Sequence, residues 1–303
     1  MIASVGFIGL GVMGSAMSGN LLDAGIDVIG FDLDESCRDR FVARGGRLAA
    51  SPAEIASTVS VVLTSLPSEQ ALDSVLSADE GLLAGARADL IILETSTLSA
   101  SRKLAAQVEA AAAGVVLLDC PMSGTGQQAV TGDLVAYLSG DDDSAKRTAL
   151  TVLAYFTRSQ YDLGSGANGT RVKLVANHLV AVHNAAAAEA LLLAERAGLD
   201  LQQVITAVGD GAGSSRMFQV RGPMMASGRF MPAAMRVDTF SKDLALIAEL
   251  AAEVAAPTPL LESAAELYRM AAEQGRGGED TACVYAVLDR VAPHTSPTRP
   301  PRP

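Results

Sequence analysis

Short apolar runs recur through the first half of the chain, at intervals that leave room for a helix between them. Each run holds five to seven residues and is rich in Val, Ile and Leu. The runs lie at residues 5–9, 27–31, 60–66, 90–94, 115–119 and 135–140. Continuous apolar strands that alternate with helices are typical of a parallel sheet covered on both faces. The pattern therefore predicts an α/β fold with a doubly wound parallel sheet.

The pattern changes after residue 164, where the strand-like runs stop and helical periodicity takes over. The Gly-rich stretch GSGANG marks the break. We predict a first domain over residues 1–164 and a helical domain over residues 165–291. Residues 292–303 hold five prolines, too many for a packed element, and we predict that this tail is disordered.

Charge and composition exclude several classes of function. The 303 residues are 49% hydrophobic and 19% charged, and the net charge is -11, so no broad basic surface is available for nucleic acid or anionic membrane. No Lys or Arg precedes Arg38, and no apolar run is long enough to span a bilayer. We expect a cytoplasmic protein. Its three cysteines lack disulfide or metal spacing, which favours reduced thiols at Cys37, Cys120 and Cys283.

The sequence GLGVMG directly follows the first strand and opens a helix. Gly9 permits a tight turn, Gly11 lets backbone amides approach a pyrophosphate, and Gly14 lets the helix pack closely on the strand. The pattern with its flanking strand and helix predicts a dinucleotide site rather than a merely tight turn. The predicted contacts are Gly9, Leu10, Gly11, Val12, Met13 and Gly14.

An acidic residue, Asp32, follows the second strand. A carboxylate there can accept hydrogen bonds from the ribose hydroxyls of the adenosine and repel a 2′-phosphate. We therefore expect NAD as cofactor in preference to NADP. The alternative is that Asp32 is an ordinary residue of the turn.

A polar stripe runs along the apolar helix predicted over residues 169–198. Lys173, Asn177 and Asn184 fall on one face at a period of 3.6 residues. A buried ammonium is costly unless it has partners or a task. Lys173 either extends to solvent from the helix start or has a function.

Four segments in order carry a family resemblance: GFIGLGVMGSAMSGNL, LLDCPMSGTG, GTRVKLVAN and FSKDLALI. The chain resembles the β-hydroxyacid dehydrogenases, relatives of the 3-hydroxyisobutyrate and tartronate semialdehyde enzymes. AVHNAAAAEA, GAGSSRMF and GGEDTACVYAVL are most similar to the threonate dehydrogenase branch. The resemblance implies a Rossmann domain, a long interdomain helix and an all-α domain, with a small hydroxy acid held in the cleft between the domains.

The resemblance implies that Lys173 is the general acid and base. Oxidation of an alcohol requires a base of near-neutral pKa, and apolar surroundings together with a positive nicotinamide would lower the pKa of a lysine towards that range. Asn177, one turn later, is expected to bind the substrate hydroxyl or carboxylate and to hold Lys173 in line.

The resemblance also assigns the loops. Ser123 and Gly124 are expected to bind substrate, with Thr125 in place of the usual second glycine. Glu94 and Ala100 depart from the usual aspartate and proline. Ser96 and Thr97 match residues that touch the nicotinamide ribose or the substrate, although Thr97 could instead cap a helix. The other expected cofactor contacts are Leu66, Pro67 and Lys242, and Lys242 with Asp243 could equally be an exposed helix pair.

These observations predict an NAD-dependent oxidoreductase that interconverts a small 3-hydroxy acid and its 3-oxo acid without a metal. Two alternatives are an imine reductase, whose members generally lack the lysine, and a non-catalytic NAD-dependent sensor or scaffold. The alanine-rich helices and the resemblance favour a homodimer or homotetramer. No role is assigned to Arg216, His178 or His183.

Overall fold

The computed structural model describes residues 3–291, and the predicted tail at 292–303 lies outside them. The described residues divide into two compact units, with the boundary between Leu174 and Val175.

The first unit is built around a six-stranded parallel sheet, which confirms the predicted fold class. Its strand order is β3-β2-β1-β4-β5-β6. Helices cover both faces through two apolar clusters, one on each side. The elements are β1 (Ser4–Ile8), α1 (Val12–Asp23), β2 (Asp27–Phe31), α2 (Glu35–Ala43), β3 (Arg47–Leu48), α3 (Pro52–Thr58), β4 (Val61–Thr64), α4 (Glu69–Ser77), β5 (Ile91–Glu94), α5 (Ala100–Ala112) and β6 (Val116–Asp119).

A second, three-stranded sheet follows, and it holds the sixth apolar run. The elements are β7 (Met122–Ser123), α6 (Gly126–Val130), β8 (Leu134–Leu138), α7 (Asp143–Leu153) and β9 (Thr157–Asp162). β8 pairs antiparallel with β7 and parallel with β9, so it does not extend the main sheet as the pattern suggested. The run pattern missed β7 because it is two residues long, and β9 because its sequence TRSQYD is polar.

The second unit consists of helices. α8 (Asn168–Arg196) is continuous across the boundary between the units. The other elements are α9 (Leu201–Gly209), α10 (Arg216–Ser227), α11 (Val237–Glu253), α12 (Pro259–Glu273), a 3-10 turn (Thr281–Cys283) and α13 (Val284–Val291). Between residues 3 and 291, none of the helices has both the length and the apolar character needed to cross a membrane.

Candidate active site

The turn between β1 and α1 requires glycine at two positions. Gly9 has a φ of +88°, and a Cβ there would lie 2.1 Å from the carbonyl oxygen of Ser65. A Cβ on Gly14 would lie 1.8 Å from the carbonyl oxygen of Gly9. Among residues 3–291, no heavy atom other than those of Gly11 and its neighbours along the chain lies within 4 Å of a Cβ built on Gly11, so this side of the turn is open to a ligand. The geometry gives each glycine the task expected of it in a dinucleotide-binding turn.

The N-terminus of α1 has no side-chain cap. Its N-cap residue is Gly11, whereas Ser51, Ser68 and Ser99 cap α3, α4 and α5 through their hydroxyls. The first amides of α1 therefore retain their capacity to bind an anion, and the helix dipole favours negative charge there. Val12 is 79% exposed beside this end. An open glycine turn and an uncapped helix fit the pyrophosphate of NAD.

Leu10 and Met13, two of the predicted cofactor contacts in this turn, have side chains that are wholly or partly buried. The side chain of Leu10 is fully buried in the core, so Leu10 can face a ligand only through its backbone. Met13 is partly buried against the same core.

Asp32 lies just beyond β2, and its carboxylate is held by two backbone amides. Oδ2 accepts a hydrogen bond from the amide of Leu10 at 2.6 Å, and Oδ1 accepts one from the amide of Asp34 at 2.8 Å. Asp32 is thus joined to the glycine turn rather than free to rotate in an ordinary turn. The side chain remains partly exposed, so its oxygens can also accept hydrogen bonds from a ribose.

The loops after β4 and β5 are joined by hydrogen bonds. The amide of Leu66 donates to the hydroxyl of Ser96 at 2.7 Å, and that hydroxyl donates to Glu94. Pro67 is exposed and Thr97 is partly exposed. The N-cap of α5 is Ser99, two residues after Thr97, so the alternative reading of Thr97 as the cap is wrong.

In the segment Ser123–Thr125, Gly124 has an unusual backbone conformation and the Thr125 hydroxyl is already hydrogen-bonded. Gly124 has a φ of +145°, a conformation that other residues rarely adopt. The Thr125 hydroxyl accepts the amide of Gln128 at 3.3 Å and completes a capping box at the start of α6. Within residues 3–291, no hydrogen bond to the Ser123 hydroxyl is found, so that group can bind a ligand. Thr125 therefore acts mainly as the N-cap residue at which the loop ends and α6 begins.

Lys173 lies in the first turns of α8 and is 7% exposed, so the interpretation in which it extends to solvent is wrong. The helix start is fixed to the first unit by side-chain caps. The amide of Thr170 donates to Asp119 Oδ2 at 2.7 Å, and the amide of Gly169 donates to the Ser139 hydroxyl at 2.9 Å. A Cβ on Gly169 would lie 2.2 Å from the carbonyl oxygen of Tyr137, so glycine permits this close approach.

In the second unit, Asn177 and Asp243 form a buried pair. Asn177 Nδ2 donates to Asp243 Oδ2 at 2.9 Å, and the two residues are 4% and 6% exposed. The alternative of an exposed Lys242–Asp243 pair is therefore wrong for Asp243, and Lys242 is partly buried. Asn184, the third member of the stripe, donates to the Tyr268 hydroxyl and to the carbonyl oxygen of Thr281.

A buried charged cluster was missed by the sequence reasoning. Glu94, Lys103 and Asp119 are each 0% exposed, and Lys103 pairs with both carboxylates. Burial would lower the pKa of Lys103, but the charges and hydrogen bonds of Glu94 and Asp119 outweigh it and raise that pKa. The available signal was helical spacing, because Lys103 falls on the buried face of α5 with Ala106 and Ala110.

Comparison with known proteins decides the family. Residues 4–163 match the model described as the NAD binding domain of 6-phosphogluconate dehydrogenase. Residues 167–288 match the model described as NAD-binding of NADP-dependent 3-hydroxyisobutyrate dehydrogenase. L-threonate dehydrogenase of Cupriavidus necator is 34% identical over 292 residues, which cover 96% of this chain and 98% of the relative. The chain belongs to the β-hydroxyacid dehydrogenase family.

Two further similarities agree with this assignment. 3-Sulfolactaldehyde reductase of Escherichia coli is 31% identical over 96% of each chain. The solved structure of 3-hydroxyisobutyrate dehydrogenase from Mycobacterium tuberculosis with L-serine is 29% identical, with a TM-score of 0.86, and the match covers 95% of this chain and 99% of that one. The expectation of an NAD-dependent oxidoreductase acting on a CH–OH group is confirmed.

Proposed function

We propose that this β-hydroxyacid dehydrogenase interconverts a small 3-hydroxy acid, of the 3-hydroxyisobutyrate, glycerate or threonate type, and its 3-oxo acid. The observation that carries the proposal is the buried position of Lys173, in a helix start anchored to the end of β6. Similar proteins support a small hydroxy acid as substrate, since they include an L-threonate dehydrogenase and a 3-hydroxyisobutyrate dehydrogenase.

The cofactor is held by the glycine turn, the first amides of α1 and Asp32, with Leu66, Pro67, Thr97 and Lys242 as further contacts. Bound NAD supplies the hydride acceptor for alcohol oxidation. Asp32 is already fixed by two amides, so little ordering is needed when it meets the ribose hydroxyls. The glycine turn excludes side chains from the place where the phosphates approach.

Substrate binding falls to the loop after β6. The Ser123 hydroxyl and the neighbouring backbone amides bind the carboxylate of the hydroxy acid, since hydroxyl and amide donors suit an anion. Gly124 holds the loop in a conformation that other residues rarely adopt. The capping box of Thr125 and Gln128 keeps the following turn in place.

Lys173 moves the proton. In oxidation its neutral amine accepts the proton of the substrate hydroxyl, and in reduction its ammonium donates a proton to the forming alkoxide. Asn177 lies one turn later on the same helix face. Because Asn177 donates from Nδ2 to Asp243, its amide orientation is fixed and Oδ1 is its acceptor. That oxygen suits a hydroxyl or an ammonium and not a carboxylate.

The experiment that tests the proposal is NAD reduction with 3-hydroxyisobutyrate, glycerate, L-threonate and D-threonate, compared between the wild type and Lys173→Met. Methionine keeps the stem and removes the charge and the proton. We expect kcat to fall by about 10² to 10⁴, with kcat/KM falling in parallel and NAD affinity unchanged. Activity at acid pH should fall in the wild type as Lys173 becomes protonated.

The control is Lys146→Met, which removes a lysine paired with Asp143 and Asp162 on α7 and β9. This variant should retain wild-type kcat. Near-normal kcat in Lys173→Met with a good substrate would refute the acid–base role. Reduction of an imine without oxidation of any of the acids would favour the imine reductase alternative.

The proposal includes a homo-oligomer joined through α8. One face of this helix exposes an apolar stripe of Val175, Leu179, Ala186, Ala190 and Leu193, at helical spacing. Leu193 is 71% exposed and Val175 is 59% exposed. A continuous apolar stripe on a surface helix is costly in water, and a second copy of the same helix matches it by symmetry.

A further inference from the structure

The cluster of Glu94, Lys103 and Asp119 is costly to maintain. All three side chains are fully buried, and Lys103 Nζ lies 3.0 Å from Asp119 Oδ1 and 3.1 Å from the carbonyl oxygen of Glu94, while pairing with the Glu94 carboxylate. Buried ion pairs are often replaced by apolar residues with no loss of stability, because desolvation offsets their attraction. Stability alone is therefore a weak reason for three buried charges.

One carboxylate fixes the helix start that carries Lys173. Asp119 Oδ1 accepts the hydroxyl of Thr170 at 2.7 Å, and Oδ2 accepts the amide of Thr170 at 2.7 Å and the hydroxyl of Ser139 at 3.1 Å. Thr170 precedes Lys173 by three residues, or just under one helical turn. A shift of the Asp119 carboxylate would thus move the first turn of α8.

The other carboxylate fixes the loops expected to meet the cofactor. Glu94 Oε1 accepts the amide of Ser96 at 3.1 Å and its hydroxyl, and also the hydroxyl of Thr64 at 3.3 Å. The hydroxyl of Ser96 in turn accepts the amide of Leu66. This chain of bonds joins the ends of β4 and β5 to one buried charge.

We propose that Lys103 is a positioning residue of the dehydrogenase: by pairing with Glu94 and Asp119 together, it holds the cofactor loops and the Lys173 helix turn in one fixed arrangement. The proposal rests on the role proposed for Lys173. Because Lys103 is fully buried, it acts through the groups it pairs with rather than by touching substrate or cofactor. Because a misplacement of about 1 Å at a reacting group can cost a hundredfold in rate, a rigid buried link between the two parts has a direct effect on turnover.

The hydrogen bonds made by Asp119 and those made by Glu94 can be tested separately. Thr170→Val keeps the shape and removes one hydrogen bond to Asp119, and we expect kcat to fall roughly tenfold while NAD affinity stays within about twofold. Thr170→Ser restores the hydroxyl and should recover most of the rate. Ser96→Ala removes the link between Glu94 and Leu66, and we expect the Kd of NAD to rise roughly tenfold. The chain has no tryptophan, so isothermal titration calorimetry measures this Kd.

The central variant is Lys103→Met combined with Glu94→Gln. It removes one positive and one negative charge, so the formal charge of the cluster is unchanged. Asp119 loses its ion pair with Lys103 but keeps the hydrogen bonds from Thr170 and Ser139. We expect it to fold, as judged by circular dichroism and a cooperative melt, and to show both defects: roughly tenfold lower kcat and roughly tenfold weaker NAD binding. Lys146→Met is the matched control and should show neither.

Wild-type kcat and wild-type Kd of NAD in this folded double variant would overturn the proposal. If the double variant does not fold, unchanged kcat in Thr170→Val or unchanged NAD affinity in Ser96→Ala overturns it, and the expected changes with serine rescue support it. If the wild type oxidises none of the tested acids, the proposed function fails on its own. In that case the Kd of NAD for Ser96→Ala and for the double variant still decides whether Lys103 holds the cofactor loops.

Discussion

Replacement of Asp32 by asparagine should weaken the preference of this dehydrogenase for NAD over NADP. Asp32 is the acidic group at the end of β2, and both of its oxygens are oriented by backbone amides, those of Leu10 and Asp34. The carboxylate cannot easily turn away from an incoming 2′-phosphate. The substitution removes the charge with little change in shape.

The expected magnitude follows from the charges and the exposure of the site. Two unit charges about 4 Å apart repel by about 1 kcal/mol in bulk water and about 4 kcal/mol near a protein surface. Asp32 is partly exposed, which favours the lower part of this range. Hydrogen bonds from ribose hydroxyls to a charged acceptor add about 1.5–3 kcal/mol in favour of NAD. We therefore expect a wild-type preference of about 3 kcal/mol, or roughly a hundredfold in kcat/KM.

The assay is the ratio of kcat/KM for NAD and NADP with the best substrate. Asp32→Asn should reduce the ratio from roughly a hundredfold to roughly tenfold or less. Asp34→Asn is the matched control. Asp34 lies two residues after Asp32 and caps α2, and asparagine caps a helix equally well, so this variant removes a nearby charge without loss of the cap. A wild-type enzyme that uses NADP as well as NAD, or a ratio unchanged in Asp32→Asn, would refute the reasoning.

Three further predictions concern the substrate, the assembly and the core. Ser123→Ala should raise KM for the hydroxy acid and leave kcat nearly unchanged, as steady-state kinetics would show, because the hydroxyl binds the carboxylate throughout the reaction; a fall in kcat alone would contradict this. Leu179→Glu with Leu193→Glu should convert the oligomer to a monomer in light scattering, whereas a monomeric wild type would remove the idea. Burial raises the pKa of Tyr268 from 10.0 to about 12. The folded protein therefore favours the neutral phenol, and the free energy of unfolding should fall by about 2–3 kcal/mol as the pH rises from below 10 to 12. In denaturant titrations Tyr268→Phe should lose this part of the pH dependence, and Tyr155→Phe, which alters an exposed tyrosine, should keep it.

The main sheet and the cofactor turn could be predicted from the sequence because their signals are local. Buried parallel strands are continuous apolar runs, and the turn before α1 needs glycine at fixed positions for steric reasons. The short β7 and the polar β9 give no such signal, since their pairing depends on partners distant in the sequence. The sixth run was therefore assigned to the wrong sheet.

Among the site residues, too, those with a local signal could be predicted and those that depend on distant partners could not. Lys173 could be singled out because a charged residue on an apolar helix face is unusual, and its burial agrees with that reading. The pairing of Asp243 with Asn177 and the cluster around Lys103 were missed because their partners come from elements far apart in the chain. Thr125 was assigned to the substrate, and its hydroxyl caps α6 because Gln128 completes the capping box three residues later. The spacing of that box was visible in the sequence.

The continuity of α8 limits how this enzyme can be dissected. At 1.5 Å per residue its 29 residues form a rod of roughly 43 Å, and the boundary between the compact units falls one residue after Lys173. A fragment that ended at Leu174 would keep about two helical turns, too few to be stable alone, and their last carbonyl groups would lose their intrahelical partners. The end of such a fragment would fray at the lysine. An isolated cofactor-binding fragment therefore needs the helix through Arg196 if it is to present Lys173 in place.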